Sequence, residues 1–432
     1  MLQPYRAVLA RPGALAFSSA GVLARLPMSM VGIAVVLAVS EVYGSYGLAG
    51  QITAVYVIVH SVCSPPLARM VDQHGQARIM RPAILVATAG MSALVVAIAI
   101  AATPLWLHLA AAVTGASVGS IGALVRARWS HILDDPGELH TAYSLEAAHD
   151  EVVFVVGPIV ATLMATTVAP TAGLWIPAVA LVVGGLLLLA QRSTEPPPAR
   201  PGTTRGPSVL RSGGMVALIV VFVAVGAIFG ATDVAVVAFA EEHGAKSAAG
   251  AVLAVFAAGS LIAGFGYGSR SWTAPLWRRF VVGVLALAAG VSLFFLVSSL
   301  PVLAAVMFVT GFTIAPTLIN GNGLVTELVP RPRLTEGLAW VGTALGVGVS
   351  VGASVGGAVV DHSGAHTGFL VVVASAATAV VAAVGAVPVL RSGARQRERA
   401  VAAEGADVAT VAAGAGPATE RGPAQPSGSA TR

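Results

Sequence analysis

Long apolar runs, separated by short polar breaks that carry arginines, dominate the chain. Twelve of them approach or exceed the roughly 20 residues that an α-helix needs to cross a bilayer. They fall at 14–39, 47–68, 82–103, 105–125, 144–167, 173–190, 215–240, 247–268, 280–299, 302–325, 337–360 and 368–390. The first run follows Arg6 and Arg11 as a secretion signal would. It is too long for one, contains Arg25 and lacks a small-residue cleavage site, so it reads as the first span. The pattern predicts an all-α integral membrane protein. Residues 1–190 and 215–390 supply six spans each, joined by a linker over 191–214 that is rich in proline, glycine and arginine. The tail, 391–432, is polar, rich in alanine, glycine and proline, and is expected to be disordered.

Composition agrees with the pattern. Of the 432 residues 56% are hydrophobic and only 10% charged, against roughly 25% charged in a soluble domain. A soluble enzyme and a disulfide-stapled secreted domain are excluded, the latter because Cys63 is the only cysteine. The net charge of +5 does not point to nucleic acid, because the basic residues cluster at the ends of the runs. With the N-terminus inside, 22 of the 24 fall in cytoplasmic segments; Lys246 lies outside and Arg25 within a span. Positive loops are retained in the cytosol during insertion. Both termini are therefore expected on the cytoplasmic side of the membrane.

The halves repeat. At an offset of 200, the stretch 37–44 (LAVSEVYG) lies over 237–244 (VAFAEEHG), Ala49-Gly50 over Ala249-Gly250, and Tyr56 over Phe256. Thr114-Gly115 falls on Thr310-Gly311 at 196, and Gly157 on Gly352 at 195. Parallel six-helix repeats across a cytoplasmic linker describe two bundles that rock about a central site.

The segment 68–78 (ARMVDQHGQAR) resembles the G-x-L-A-D-R-x-G-R-R loop between the second and third helices of the major facilitator superfamily. Asp72, Gly75 and Arg78 keep their places; Ala68, Gln73, Gln76 and Ala77 depart from the pattern. The resemblance covers the twelve spans and implies two pseudo-symmetric six-helix bundles in which this loop is a gate. Gly75 permits a tight turn, and Asp72 can pair with an arginine or cap a helix N-terminus. The equivalent loop of the second half, 266–270 (GYGSR), lacks the acid. Gly157-Pro158 looks like the Gly-Pro element of the antiporter signature and leans toward efflux. The fourth span has no internal arginine, so the family's proton-relay arginine has no counterpart there. The phrases RARW (126–129), YSLE (143–146) and LTEG (334–337) resemble those of actinobacterial members.

Ionisable groups at bilayer depth usually face a cavity or a partner. Arg25 lies about 16 Å into the first span; it can bind an anionic group or pair with a carboxylate. Asp233, about 27 Å into the seventh span, can titrate during transport or hydrate an outer vestibule. Asp150 and Glu151 point about 100° apart on a helix and are expected to close an inner gate with Arg126 or Arg128, as Glu327 does with Arg331 or Arg333. Asn320 and Asn322 suit neutral polar cargo or helix–helix contact. Substitutions Arg25→Ala and Asp233→Asn are expected to lower transport while sparing expression.

No phosphate loop or nucleophile elbow is present, and His362 and His366, at i, i+4 in an outer loop, are a remote metal candidate, so no cofactor is expected and ATP is not a direct energy source. The chain reads as a monomeric secondary transporter exporting a small molecule against a proton gradient. Uptake of a sugar or organic acid by symport is the alternative. An enzyme or channel is remote, since neither a convergent catalytic set nor pore-lining repeats occur.

Overall fold

The computed structural model describes residues 3–199, 209–245 and 248–414. Among these residues fifteen α-helices run in chain order: α1 Gln3–Leu9, α2 Ala14–Tyr43, α3 Tyr46–His74, α4 Gln76–Ala99, α5 Pro104–Val118, α6 Ile121–Ile132, α7 Pro136–Thr167 and α8 Ala172–Ala190. The second half has α9 Gly213–Glu242, α10 Ala249–Gly268, α11 Leu276–Ser292, α12 Leu300–Gly311, α13 Ile314–Leu328, α14 Leu334–Ser363 and α15 Ala365–Gly414. Twelve helical segments are long and apolar enough to cross a membrane, and they coincide with the twelve runs of the sequence. The chain's N-terminus and the interbundle linker share one side, called the linker side below.

Two spans are broken. The fourth divides into α5 and α6 at Gly119-Ser120, where Gly119 takes φ +63. The tenth divides into α12 and α13 at Phe312-Thr313. The breaks fall in corresponding spans of the two repeats and do not show in hydropathy, since both flanks of each are apolar.

The repeat seen in sequence returns as contacts. A Cβ on Gly115 of α5 would meet the Tyr56 carbonyl oxygen of α3 at 2.5 Å; one on Gly311 of α12 would meet the Phe256 carbonyl oxygen of α10 at 2.4 Å. Gly90 of α4 abuts Thr114, and Gly290 of α11 abuts Thr310. Gly44 and Gly244 follow α2 and α9 with φ +64 and +70, the left-handed geometry that glycine adopts most easily when it ends a helix. The hydroxyl of Tyr43 donates to the Ala102 carbonyl at 2.7 Å, and the His243 ring lies 3.1 Å from the Ser298 carbonyl. Each first helix is thus tied to the same loop of its own bundle.

The last helix carries the fold past the expected end of the bundle. α15 continues to Gly414, where the sequence suggests an irregular tail from 391. Residues 400–413 hold seven alanines, the best helix former, and no proline. The rest of that tail, with Arg421 and Arg432, lies outside the described residues, as do Lys246 and the linker arginines Arg200 and Arg205.

Candidate functional site

The buried heart of the first bundle is a charge network built on α7. Glu146 and Asp150 sit four residues apart, so both project from one face toward α2 and α6. The Glu146 carboxylate accepts hydrogen bonds from Ser18 at 2.7 Å and from the Trp129 indole at 2.7 Å, and pairs with Arg25. Asp150 accepts from Arg25 at 2.8 Å and from Arg126 at 2.7 Å. Arg25 and Glu146 are fully enclosed, with side-chain exposures of 1% and 0%. Two guanidinium groups therefore face two carboxylates, and the charge balances before any cargo arrives. Of the two roles open to Arg25 in the sequence, the geometry supplies the pairing one.

The network lies within one bundle. Asp150 meets Arg126 as the sequence suggests, but this pair joins α6 to α7 and not the two bundles. Arg128 turns the other way. Its guanidinium donates to Gln76 at 2.8 Å, to the Gln191 carbonyl at 2.7 Å and to Thr194 at 2.8 Å, tying α6 to α4 and the start of the linker. Adjacent carboxylates point apart, and Glu151 accordingly leaves the network to accept from Ser260 of α10 at 2.6 Å. That bond does cross between bundles.

Other interbundle contacts gather on the linker side. The Asp72 carboxylate accepts from the backbone N–H groups of Thr335 at 3.3 Å and Glu336 at 2.9 Å. These belong to the first turn of α14, whose unsatisfied N–H groups and positive dipole end favour an anion. Asp72 thus takes the helix-capping role of the two that the sequence leaves open. Gly75, at φ +94, turns the chain from α3 into α4. Arg78 is exposed beside it. The linker folds back under this loop: Glu195 accepts from the Ala77 N–H at 2.9 Å, and the Ala199 N–H donates to the Asp72 carbonyl at 2.9 Å. A cavity of about 530 Å³ remains between the bundles there, bordered by Asp72, Gln76, His131, Pro197 and Arg331.

Asp233 stands apart from all of these. At its level Gly356 of α14 packs on Ala231 and Gly368 of α15 packs on Ala235. Asp233 is two residues from each, hence about 160° round the helix from both, and its side chain is exposed. Asp233 thus lies on a stretch of α9 that neither Gly356 nor Gly368 covers.

The remaining candidates are placed as follows. Asn320 is buried and exchanges hydrogen bonds with the Tyr267 hydroxyl, at 2.9 and 3.2 Å, so it joins α13 to α10. Asn322 donates within its own helix to the Leu318 carbonyl at 2.9 Å. Glu327 is half-buried near the linker-side end of α13. Arg331 pairs at 3.1 Å with Asp134 of the first bundle. Gly157 packs so tightly on α2 that a Cβ would reach Ser29 Oγ at 2.0 Å, and α7 continues through Pro158. Sequence reasoning passed over Glu146, Ser18, Ser260 and Tyr5. The i, i+4 spacing of Glu146 and Asp150 was the available signal for the first of them.

Residues 17–287 and 272–413 match the family model described as Major Facilitator Superfamily. No curated protein matches the chain. Among solved structures, a bacterial homologue of the iron transporter ferroportin in its outward-facing state is 17% identical, with a TM-score of 0.71 over 87% of this chain and 99% of that one. The E. coli fucose:proton symporter is 12% identical, TM-score 0.68, covering 87% and 98%. A human organic anion transporter is 12% identical, TM-score 0.64, covering 90% and 100%. These likenesses concern the fold. The chain belongs to the Major Facilitator Superfamily and is a multi-pass membrane transporter that works by alternating access, not an enzyme.

Proposed function

We propose that the protein exports a small molecule across a bacterial cytoplasmic membrane in exchange for protons, with the linker side in the cytoplasm. The arginine distribution supports that orientation. The linker-side contacts of Asp72 and Glu151 then make the described state outward-facing. The observation that carries proton coupling is Asp233: an exposed acid within the seventh span, at a level where Gly356 and Gly368 pack on other residues of α9. Intramembrane acids so placed are characteristic of proton and ion pathways. Arg25 and Arg126 already hold carboxylates, so an anionic cargo would have to displace Asp150 or Glu146 to use them. Neutral or cationic solutes fit this interior better. The mobile element is the pair of bundles, and the small-residue seam of α9 with α14 moves as one body within the second.

The test is a solute screen in inside-out vesicles with and without an imposed pH gradient. The proposal expects accumulation driven by an acidic interior and loss of that drive in Asp233→Asn. Accumulation that ignores the gradient would refute coupling, and uptake only in right-side-out vesicles would refute export.

A further inference from the structure

The two interbundle seams are related by the repeat, but they are not closed in the same way. At the seam of α3 with α14, Asp72 accepts from the N–H groups that open α14. At the offset of 200 its counterpart is Trp272, which has no acid to offer the start of α7. The second seam, of α7 with α10, uses the opposite polarity. The last four carbonyls of an α-helix have no partner within it, and in α10 these belong to Phe265, Gly266, Tyr267 and Gly268. All four are met. The Tyr5 hydroxyl donates to Phe265 at 2.7 Å, Ser269 to Gly266 at 2.9 Å, the Trp272 indole to Tyr267 at 3.0 Å and Thr141 to Gly268 at 2.8 Å.

Two of those donors, Tyr5 and Thr141, come from the first bundle. Tyr5 sits on α1, the short helix ahead of the first span, and is only 4% exposed. Its ring lies edge-on to Phe265 at 5.5 Å. The His140 ring packs on the Tyr267 ring at 5.1 Å, with its Nε2 3.3 Å from the Tyr267 carbonyl. A Cβ on Gly268 would strike the Tyr5 hydroxyl at 2.6 Å and Ser144 at 2.1 Å, so glycine is what lets the ends come this close.

We propose that Tyr5, with Thr141, is a second inner latch: hydroxyl donors on the carbonyl end of α10 replace the missing acid and hold the α7–α10 seam shut. Burial pushes the Tyr5 phenol up to about 12, so the donor keeps its proton throughout the physiological range. Opening the linker side must break the Tyr5 and Thr141 bonds together with those of Asp72, because the bundles move as bodies. α1 is then part of the gate and not merely a leader to the first span.

The test uses the full chain with Cys63→Ser and a reporter, Ser144→Cys, which is buried against Gly268 and reacts with a maleimide only when the seam opens. A second reporter, Glu41→Cys, reads the opposite side. Working in detergent exposes both sides, so the result does not depend on the orientation proposed above. Tyr5→Phe keeps the ring and removes the bond. It should raise the Ser144→Cys labelling rate about fivefold, the weight of one hydrogen bond, and lower that of Glu41→Cys. Thr141→Val should act in the same direction, and each should multiply the effect of Asp72→Asn. Unchanged labelling in both Tyr5→Phe and Thr141→Val would overturn the proposal. So would faster labelling at both reporters, which marks a loosened fold and not a released latch.

Discussion

Arg25→Met takes one positive charge from a buried set of two arginines and two carboxylates and leaves the side chain's length nearly intact. Glu146 then keeps Ser18 and Trp129 as donors but loses its cation, while Asp150 retains Arg126. The network carries one uncompensated negative charge. Glu146→Gln errs the other way, leaving Arg25 and Arg126 to share Asp150. Removing one partner of a buried pair costs about 3–5 kcal/mol. At roughly 2–4 °C per kcal/mol for a unit of this size, each single change should lower the melting temperature by about 6–20 °C. The double variant restores the balance, with Arg126 on Asp150 and a neutral amide on Ser18 and Trp129. Its loss should fall well short of the sum, a coupling that a double-mutant cycle reads directly. The assay is thermal unfolding of the purified protein in detergent, followed by tryptophan fluorescence. Arg25→Met melting within about 2 °C of the parent, too little for a broken buried pair, would refute the reasoning; so would a double variant that loses the full sum.

By the same argument Arg25→Ala should reduce the folded yield, contrary to the expectation from sequence that expression would be spared. Gly115→Ala and Gly311→Ala press a methyl onto backbone carbonyls and should each cost about 1–3 kcal/mol, as overpacking does. Gly50→Ala, whose Cβ meets nothing within 4 Å, should leave the melting temperature unchanged or slightly higher. Asp72→Asn keeps the cap but loses its charge, so turnover in vesicles should fall while equilibrium cargo binding holds; equal losses in both would contradict a gating role. Asp233→Asn should melt as the parent does, because the Asp233 side chain is exposed, yet lose stimulation by a pH gradient.

The span count and the repeat were legible because each rests on a property that hydropathy or glycine placement reports directly. Glu-x-x-Gly marked the repeat at the ends of α2 and α9, and the structure adds that Gly44 and Gly244 both take positive φ there. The breaks at Gly119 and Phe312 were not legible, since a span interrupted between apolar residues has the same average hydropathy as a continuous one. The site was legible in part. Asp72 was read as an arginine partner or a helix cap, and only the position of α14 decides between them. Asp150 and Glu151 drew attention as neighbours, whereas on a helix the residue that shares a face with Asp150 is Glu146. Tyr5 had no signal at all. Its role comes from the free carbonyls at the end of α10, which are distant in sequence and identical in every helix.

The most direct test of alternating access places spin labels at Met70→Cys and Arg278→Cys on the linker side, and at Val42→Cys and Ala245→Cys on the other, in the Cys63→Ser chain. Pulsed distance measurements on both pairs, with and without Asp72→Asn, read the two openings separately. The account predicts a short linker-side distance in the parent, and in Asp72→Asn a longer one matched by a shorter distance across the opposite side. Distances that lengthen together, or that do not change at either side, would contradict two bundles rocking about a shared interior.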